Sequence, residues 1–310
     1  MFYYAPNKNP QDKEVYKIKG NETLNKAKKA KNDEFYTQLS DIEDELQFYT
    51  PYLENKTILC NCDNPEWSNF WKFFYNNFHT LKLKKIIATH YVAEGKTYKL
   101  EYDGINFPVK TFLQGNGDFR SAECEQLLSE VDIIISNPPF SAFRCYFSQI
   151  QNYDKKFLII GNQNAIKYSE VFPYIKSGKV WAGHNYGSMK FMVPDDSPEK
   201  ERRFWIDEEN QKWRSLGNTC WFTNLGEFPK REFLPLTQEY SPETHPTFSN
   251  YEAINCDKVA NIPCDYNENI GVPLTFILKH NPDQFKIVDF LHSPIVDDTK
   301  KYSRIIIKKK

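Results

Sequence analysis

The chain has 310 residues, a formal net charge of −1 and 40% hydrophobic residues, enough apolar material for one large domain, or one domain with a smaller companion. No apolar run is long enough to span a bilayer, and the polar, basic stretch from Met1 to Lys31 has no signal-peptide core, so a soluble cytoplasmic protein is expected. The near-neutral sum excludes a uniformly basic nucleic-acid binder, and seven cysteines, an odd number, exclude a dense disulfide scaffold.

In chain order, residues 1–33 read as a basic arm with little apolar periodicity, carrying Lys26, Lys28, Lys29 and Lys31. Glu34 to Asn55 predicts a helix with Leu39, Ile42, Leu46 and Tyr49 on one stripe, bent or ended by Pro51. Residues 57–63 predict a first core strand in which Cys60 and Cys62 alternate. No second close pair completes a zinc set, so these thiols read as structural. A helix with Trp67, Phe70, Trp71, Phe74 and Phe78 at helical spacing follows, then a second strand over Lys85–Tyr91. Tyr98 to Leu113 reads as a hairpin turned at Asp103-Gly104, residues 115–119 as a loop, and Glu123 to Glu130 as a short helix.

The apolar, β-branched run Val131–Ser136 has the length of a buried strand, and Asn137-Pro138-Pro139-Phe140 stops it. Such a turn stands at the carboxyl end of a strand, where open α/β sheets bind ligands. The Asn137 side-chain oxygen and the Pro138 carbonyl can each accept one proton from a planar amine, and Phe140 can stack on the ring that carries it. A helix over Phe143–Ile150 and a buried-type strand over Lys156–Gly161 complete a strand–helix alternation that points to a mostly parallel sheet. Beyond it the pattern turns β-rich. Strands are predicted over Lys179–Gly183, Met189–Val193, Thr219–Leu225 and Ser303–Lys308, with no long helix after Gly226. The stretch 194–214 reads as a charged surface excursion. Its Lys200, Arg202, Arg203, Lys212 and Arg214 are either solvated or set against phosphates. The six histidines are scattered, without zinc or Ser-His-Asp spacing, so no metal is expected.

Asn32-Asp33-Glu34-Phe35-Tyr36-Thr37, Cys60-Asn61-Cys62-Asp63-Asn64-Pro65 and Gly117-Asp118-Phe119 precede the Asn-Pro-Pro-Phe turn, and Trp221-Phe222-Thr223-Asn224 and Gly271-Val272-Pro273-Leu274-Thr275-Phe276 follow it. In this order the chain resembles the EcoRI-type adenine-specific DNA methyltransferases, from about Lys31 to the end. The resemblance implies a Rossmann-like, S-adenosylmethionine-dependent α/β sheet with helices on both faces in residues 34–225, and a β-rich, irregular target-recognition region in 226–310. It implies methylation of the 6-amino group of an adenine flipped out of double-stranded DNA, with a cognate restriction endonuclease as a functional partner and a monomeric enzyme.

By the same resemblance, Asn137, Pro138, Pro139 and Phe140 would be catalytic. Phe35, Tyr36, Thr37, Asn61, Cys62, Asp63, Pro65, Thr89, Asp118, Phe119 and Asn137 would surround the cofactor. Trp221 or Phe222 would wall the base pocket opposite Phe140, and Lys26, Lys28, Lys29, Lys31, Arg202 and Arg203 would meet the DNA backbone. The first-strand loop usually carries glycines, and here Asp63 to Phe70 has none, a feature of the EcoRI-type subgroup. Thr89-His90-Tyr91 stand where an acidic ribose ligand is usual, which leaves Asp63 and Glu94 as candidates. RNA guanine or protein glutamine amino-methylation, which use similar turns, and a catalytically silent DNA-binding relative are the alternatives.

Overall fold

The computed structural model describes residues 36–193, 199 and 202–310. The first half contains β1 (Tyr36–Thr37), α1 (Leu39–Leu46), β2 (Thr57–Cys60), α2 (Asn69–Asn76), β3 (Lys85–Thr89), β4 (Tyr98–Tyr102), β5 (Val109–Phe112), α3 (Ala122–Glu130), β6 (Ile133–Ser136), α4 (Phe143–Asn152) and β7 (Lys156–Asn162). Then follow α5 (Phe172–Lys176), β8 (Trp181–Met192), β9 (Phe204–Ile206), β10 (Lys212–Thr223), β11 (Ile254–Asn255), β12 (Ile270–Val272), β13 (Phe285–Leu291), β14 (Ile295–Val296), β15 (Thr299–Lys300) and β16 (Arg304–Lys309).

One large sheet runs in the order β1-β8-β10-β7-β6-β2-β3-β4-β5, with β9 on β10. Its four central strands, β7, β6, β2 and β3, are parallel. The hairpin β4–β5 extends one side antiparallel, and β10, β8 and β1 extend the other. Strand alternation sorts the apolar side chains to two faces. Ile58, Cys60, Ile86, Ile133, Ile135, Leu158 and Ile160 meet α1 and α2 through Ile42, Leu46, Phe70 and Phe74. Leu59, Ile87, Ile134, Phe157 and Ile159 meet α4 through Phe143, Phe147 and Ile150 on the other side.

The second sheet, β11-β12-β16-β13, closes over that α4 side. Ile254, Ile270, Val272, Phe285, Ile305 and Ile307 belong to the same buried cluster as Phe143 and Phe157. Residues 226–310 therefore share their core with the central sheet. The fold is mixed α/β with a large sheet and few helices.

Three expectations are corrected. Within 34–55 the described residues form β1, a two-turn α1 and a short 3-10 turn at Thr50–Tyr52 rather than one helix. The strands predicted over Lys179–Gly183 and Met189–Val193 are parts of one twelve-residue strand, β8, that runs through Gly183 and Gly187. The charged excursion contains strand as well: β9 pairs with the start of β10 across the turn 207–211. In addition, β10 meets β7 only from Thr219, opposite Asn162. Residues 212–218 thus run roughly 20 Å past the carboxyl edge of the parallel strands at about 3.3 Å per residue.

Candidate active site

The carboxyl ends of β2, β3 and β6 converge under that extension. Pro138 and Pro139 cannot donate to a ladder, so β6 ends at Ser136 and the chain turns out of the sheet. Asn137 is only 6% exposed, and its Nδ2 donates to Thr37 Oγ1 at 3.2 Å. The Thr37 carbonyl accepts from Asn69 Nδ2 at 2.8 Å. In the sheet order three strands separate β1 from β6, so this bond requires the β1–β8–β10 extension to curl over the sheet's edge. It places the Asn137 amide nitrogen on Thr37 and fixes the orientation of the amide. Phe140 opens a short 3-10 turn into α4 and packs, partly buried, on the α1–α2 side.

The glycine-free loop after β2 is shaped by side chains. Asn61 Oδ1 accepts from the Tyr146 hydroxyl on α4 and from Cys62 Sγ at 3.7 Å. Asp63 Oδ2 accepts from Ser68 Oγ at 3.3 Å, and Ser68 in turn caps α2 by accepting from Trp71 N. Pro65 is buried between them. Burial is the main cause that pushes the Cys62 thiol up to about 12 and the Tyr146 phenol well above its usual range. Both stay protonated at neutral pH, which excludes them as nucleophile or base. Tyr146→Phe removes the bond to Asn61, and a loss of about 1–2 kcal/mol in urea unfolding is expected.

The third segment lies against the end of β3. Gly117 has φ +75°, and a Cβ there would collide with the His90 carbonyl, so this tight approach requires glycine. Asp118 is paired with Arg120, whose Nε donates to it at 2.8 Å. The Phe119 ring stands edge-on to Tyr146, centroids 5.1 Å apart, and its carbonyl accepts from Gln149 Nε2 at 2.9 Å. Thr89 is buried. Burial, the leading cause, lowers the pKa of His90, whose ring meets the Thr97 hydroxyl. Of the two ribose candidates, Asp63 sits in the site, and Glu94 is exposed on the loop after β3.

Trp221 and Phe222 do not wall this pocket. As neighbours on β10 they point to opposite faces. Trp221 is fully buried beside Phe70 on the α1–α2 side, and Phe222 packs on Phe143 on the other. Both are core side chains with no ring face for a base. Arg202 and Arg203 are exposed just before β9. Phe35, Lys26, Lys28, Lys29 and Lys31 lie outside the described residues.

Sequence reasoning missed Tyr146 and Gln149. Their signal was present: both are polar residues on the apolar stripe of α4, beside Phe143, Phe147 and Ile150. Among the described residues no three His, Cys, Asp or Glu side chains cluster as a metal site would need, and no helix is long and apolar enough to cross a membrane. All seven cysteines are free thiols.

A family model described as "Adenine-specific methyltransferase EcoRI" matches residues 23–310. The chain is 42% identical to the Type II methyltransferase M.EcoRI of Escherichia coli, over 94% of this chain and 97% of that protein. It is 36% identical to the Type II methyltransferase M.MgeORF184P of Mycoplasma genitalium, over 92% of this chain and 98% of that one. It is 38% identical to M.MpnI of Mycoplasma pneumoniae, over 87% and 86%. No solved structure matches.

Proposed function

Because the chain belongs to the EcoRI family of adenine-specific methyltransferases and is a DNA adenine methyltransferase, we propose that it moves a methyl group from S-adenosylmethionine to the 6-amino group of an adenine flipped out of a short duplex site. The observation that carries this reading is the Asn137–Thr37 bond, which sets the Asn137 amide beside the Pro138 carbonyl at the end of β6.

The residues present fit the cofactor chemically. Asp63 is a buried carboxylate suited to hydroxyl or ammonium groups, Phe119 offers a ring to an adenine, and Gly117 permits the close approach of the Phe119 loop to the His90 backbone. Thr37, Asn61, Cys62, Pro65, Thr89 and Asp118 complete the proposed surround, in a Rossmann-like sheet. S-adenosylmethionine supplies a methyl group already activated on a sulfonium, so the protein needs no strong base.

The protein's own task is to free the amine's lone pair, which in adenine is delocalised into the ring. Two acceptors, Asn137 Oδ1 and the Pro138 carbonyl, draw the two N–H protons off the ring plane. Prolines fix that geometry before the base arrives. Flipping the base costs a few kcal/mol, and stacking on Phe140 offsets about 1–3 kcal/mol of it. Phe140→Ala is therefore expected to lower kcat/KM on duplex DNA by about 10- to 100-fold, and Phe140→Trp to keep most of it. Equal losses in the two variants would show that the ring shapes the pocket without stacking.

Exposed Arg202 and Arg203, with Lys26, Lys28, Lys29 and Lys31 of the basic arm, would meet DNA phosphates. The enzyme would act as a cytoplasmic monomer on one strand at a time, the methylating member of a restriction–modification pair. No observation favours RNA guanine or protein glutamine as the substrate.

A further inference from the structure

Residues directly paired across antiparallel strands share a face. Tyr36 pairs with Met192, Met192 with Trp213, and Trp213 with Trp205. One row of large side chains therefore crosses β1, β8, β10 and β9. The neighbouring row, Thr37, Phe191, Arg214 and Phe204, is turned inward, with Phe191 and Phe204 against the α1–α2 core and Thr37 on Asn137. The Tyr36–Trp205 row faces outward. Trp205 is 36% exposed and stacks on Trp213, with ring centroids 6.3 Å and ring planes 6° apart.

The row starts one residue from the catalytic contact and spans three strand spacings, about 14 Å, which is about four base steps of 3.4 Å. On β10, β9 occupies the same edge as β7 and lies beyond the carboxyl end of β7, one lane from the Asn-Pro-Pro-Phe turn on β6. Its charges are sorted. Exposed Lys190, Arg202 and Arg203 flank the row, and exposed Glu208 and Glu209 stand in the turn between β9 and β10. Asp207 is occupied by Trp213 Nε1, at 2.6 Å.

We infer that the β1–β8–β10–β9 extension, with its outward row of Tyr36, Met192, Trp213 and Trp205, is the surface that docks duplex DNA beside the flipped adenine. Target recognition then lies here, and the second sheet of residues 226–310, whose inner face is committed to the shared core, supports the catalytic half. This inference rests on the DNA-methylation reading.

The test is ultraviolet cross-linking of the full chain to a 5-bromodeoxyuridine-substituted duplex carrying the methylated site, with peptide mapping, beside duplex affinities of variants. Cross-links on the peptides holding Trp205 and Trp213 are expected. Trp205→Ala should weaken duplex binding about tenfold or more and Trp205→Phe should restore most of it. Arg202→Ala should lower the salt dependence by about one released ion. Phe107→Ala and Tyr302→Ala, at other side chains 89% exposed, should change nothing, and S-adenosylmethionine affinity should stay constant throughout. Cross-links confined to residues 254–309, with unchanged affinity in Trp205→Ala, would overturn the inference and leave the methylation reading standing. A wild-type protein that binds S-adenosylmethionine and no duplex DNA would overturn both.

Discussion

Asn137→Ala is expected to lower kcat for DNA methylation by about 10²–10³-fold, with S-adenosylmethionine affinity and fold retained. In the proposed mechanism the amide acts on charge and geometry that develop only as the amine becomes tetrahedral, so its loss should fall on kcat more than on KM. The structural cost includes the buried hydrogen bond from Nδ2 to Thr37 Oγ1, worth about 1 kcal/mol. Steady-state kinetics beside a urea unfolding curve separate the two. Near-wild-type turnover in a folded Asn137→Ala would remove the acceptor role assigned here.

The largest stability loss is expected at Glu45, far from the chemistry. This α1 carboxylate is fully buried and accepts from His184 N at 2.9 Å, Asn185 N at 2.7 Å and Tyr49 OH at 3.0 Å. On the same stretch of β8, Arg231 donates to the carbonyls of Ala182 and Gly183, and it also donates to the carbonyl of Ile277. Glu45→Ala strands the N–H groups of half-buried His184 and Asn185 at about 1–3 kcal/mol each, so a total loss of about 3–4 kcal/mol is expected by denaturant unfolding. Glu45→Gln, which keeps an acceptor oxygen, should lose about half of that.

Burial, the leading cause, raises the Glu45 pKa above the ordinary 4.5, against the lowering by its N–H and hydroxyl partners. The folded state then holds this proton more tightly than the unfolded chain. Wild-type stability from this group is unaffected below 4.5 and declines as pH rises towards the folded pKa. Glu45→Gln does not titrate and should lack that slope. Because β8 continues into the curled extension that carries Phe191 opposite Thr37, the anchor also holds the roof of the active site.

What was legible in the sequence was local. The β-branched runs before Ser136 and Gly161 gave β6 and β7, and two prolines marked the end of β6. The apolar run before Lys308 gave β16, whose three isoleucines are all buried, Ile305 and Ile307 on one face and Ile306 on the other. What was illegible depended on pairing. Gly183 and Gly187 interrupt the apolar pattern of β8, and only its ladder with β10 keeps it one strand. Phe204-Trp205-Ile206 sits among charges, so its strand character is set by the partner rather than by composition. Trp221 and Phe222 looked like a base wall because both are large aromatics; their fate was decided by which face each residue of β10 meets. The family resemblance put Thr37 and Asn137 each beside the cofactor, and their direct bond, a hundred residues apart in sequence, was written in nothing of the local pattern.

The central claim is that this site methylates the amine of adenine in DNA, through Asn137. It is tested most directly by transfer of tritiated methyl from S-adenosylmethionine to unmethylated genomic DNA, with wild type and Asn137→Ala side by side, followed by digestion to nucleosides. Label in N6-methyladenine with the wild type, and at most about one hundredth of that rate with Asn137→Ala, is the expected result. Label in another nucleoside, or none in DNA from a protein that binds the cofactor, would contradict the account.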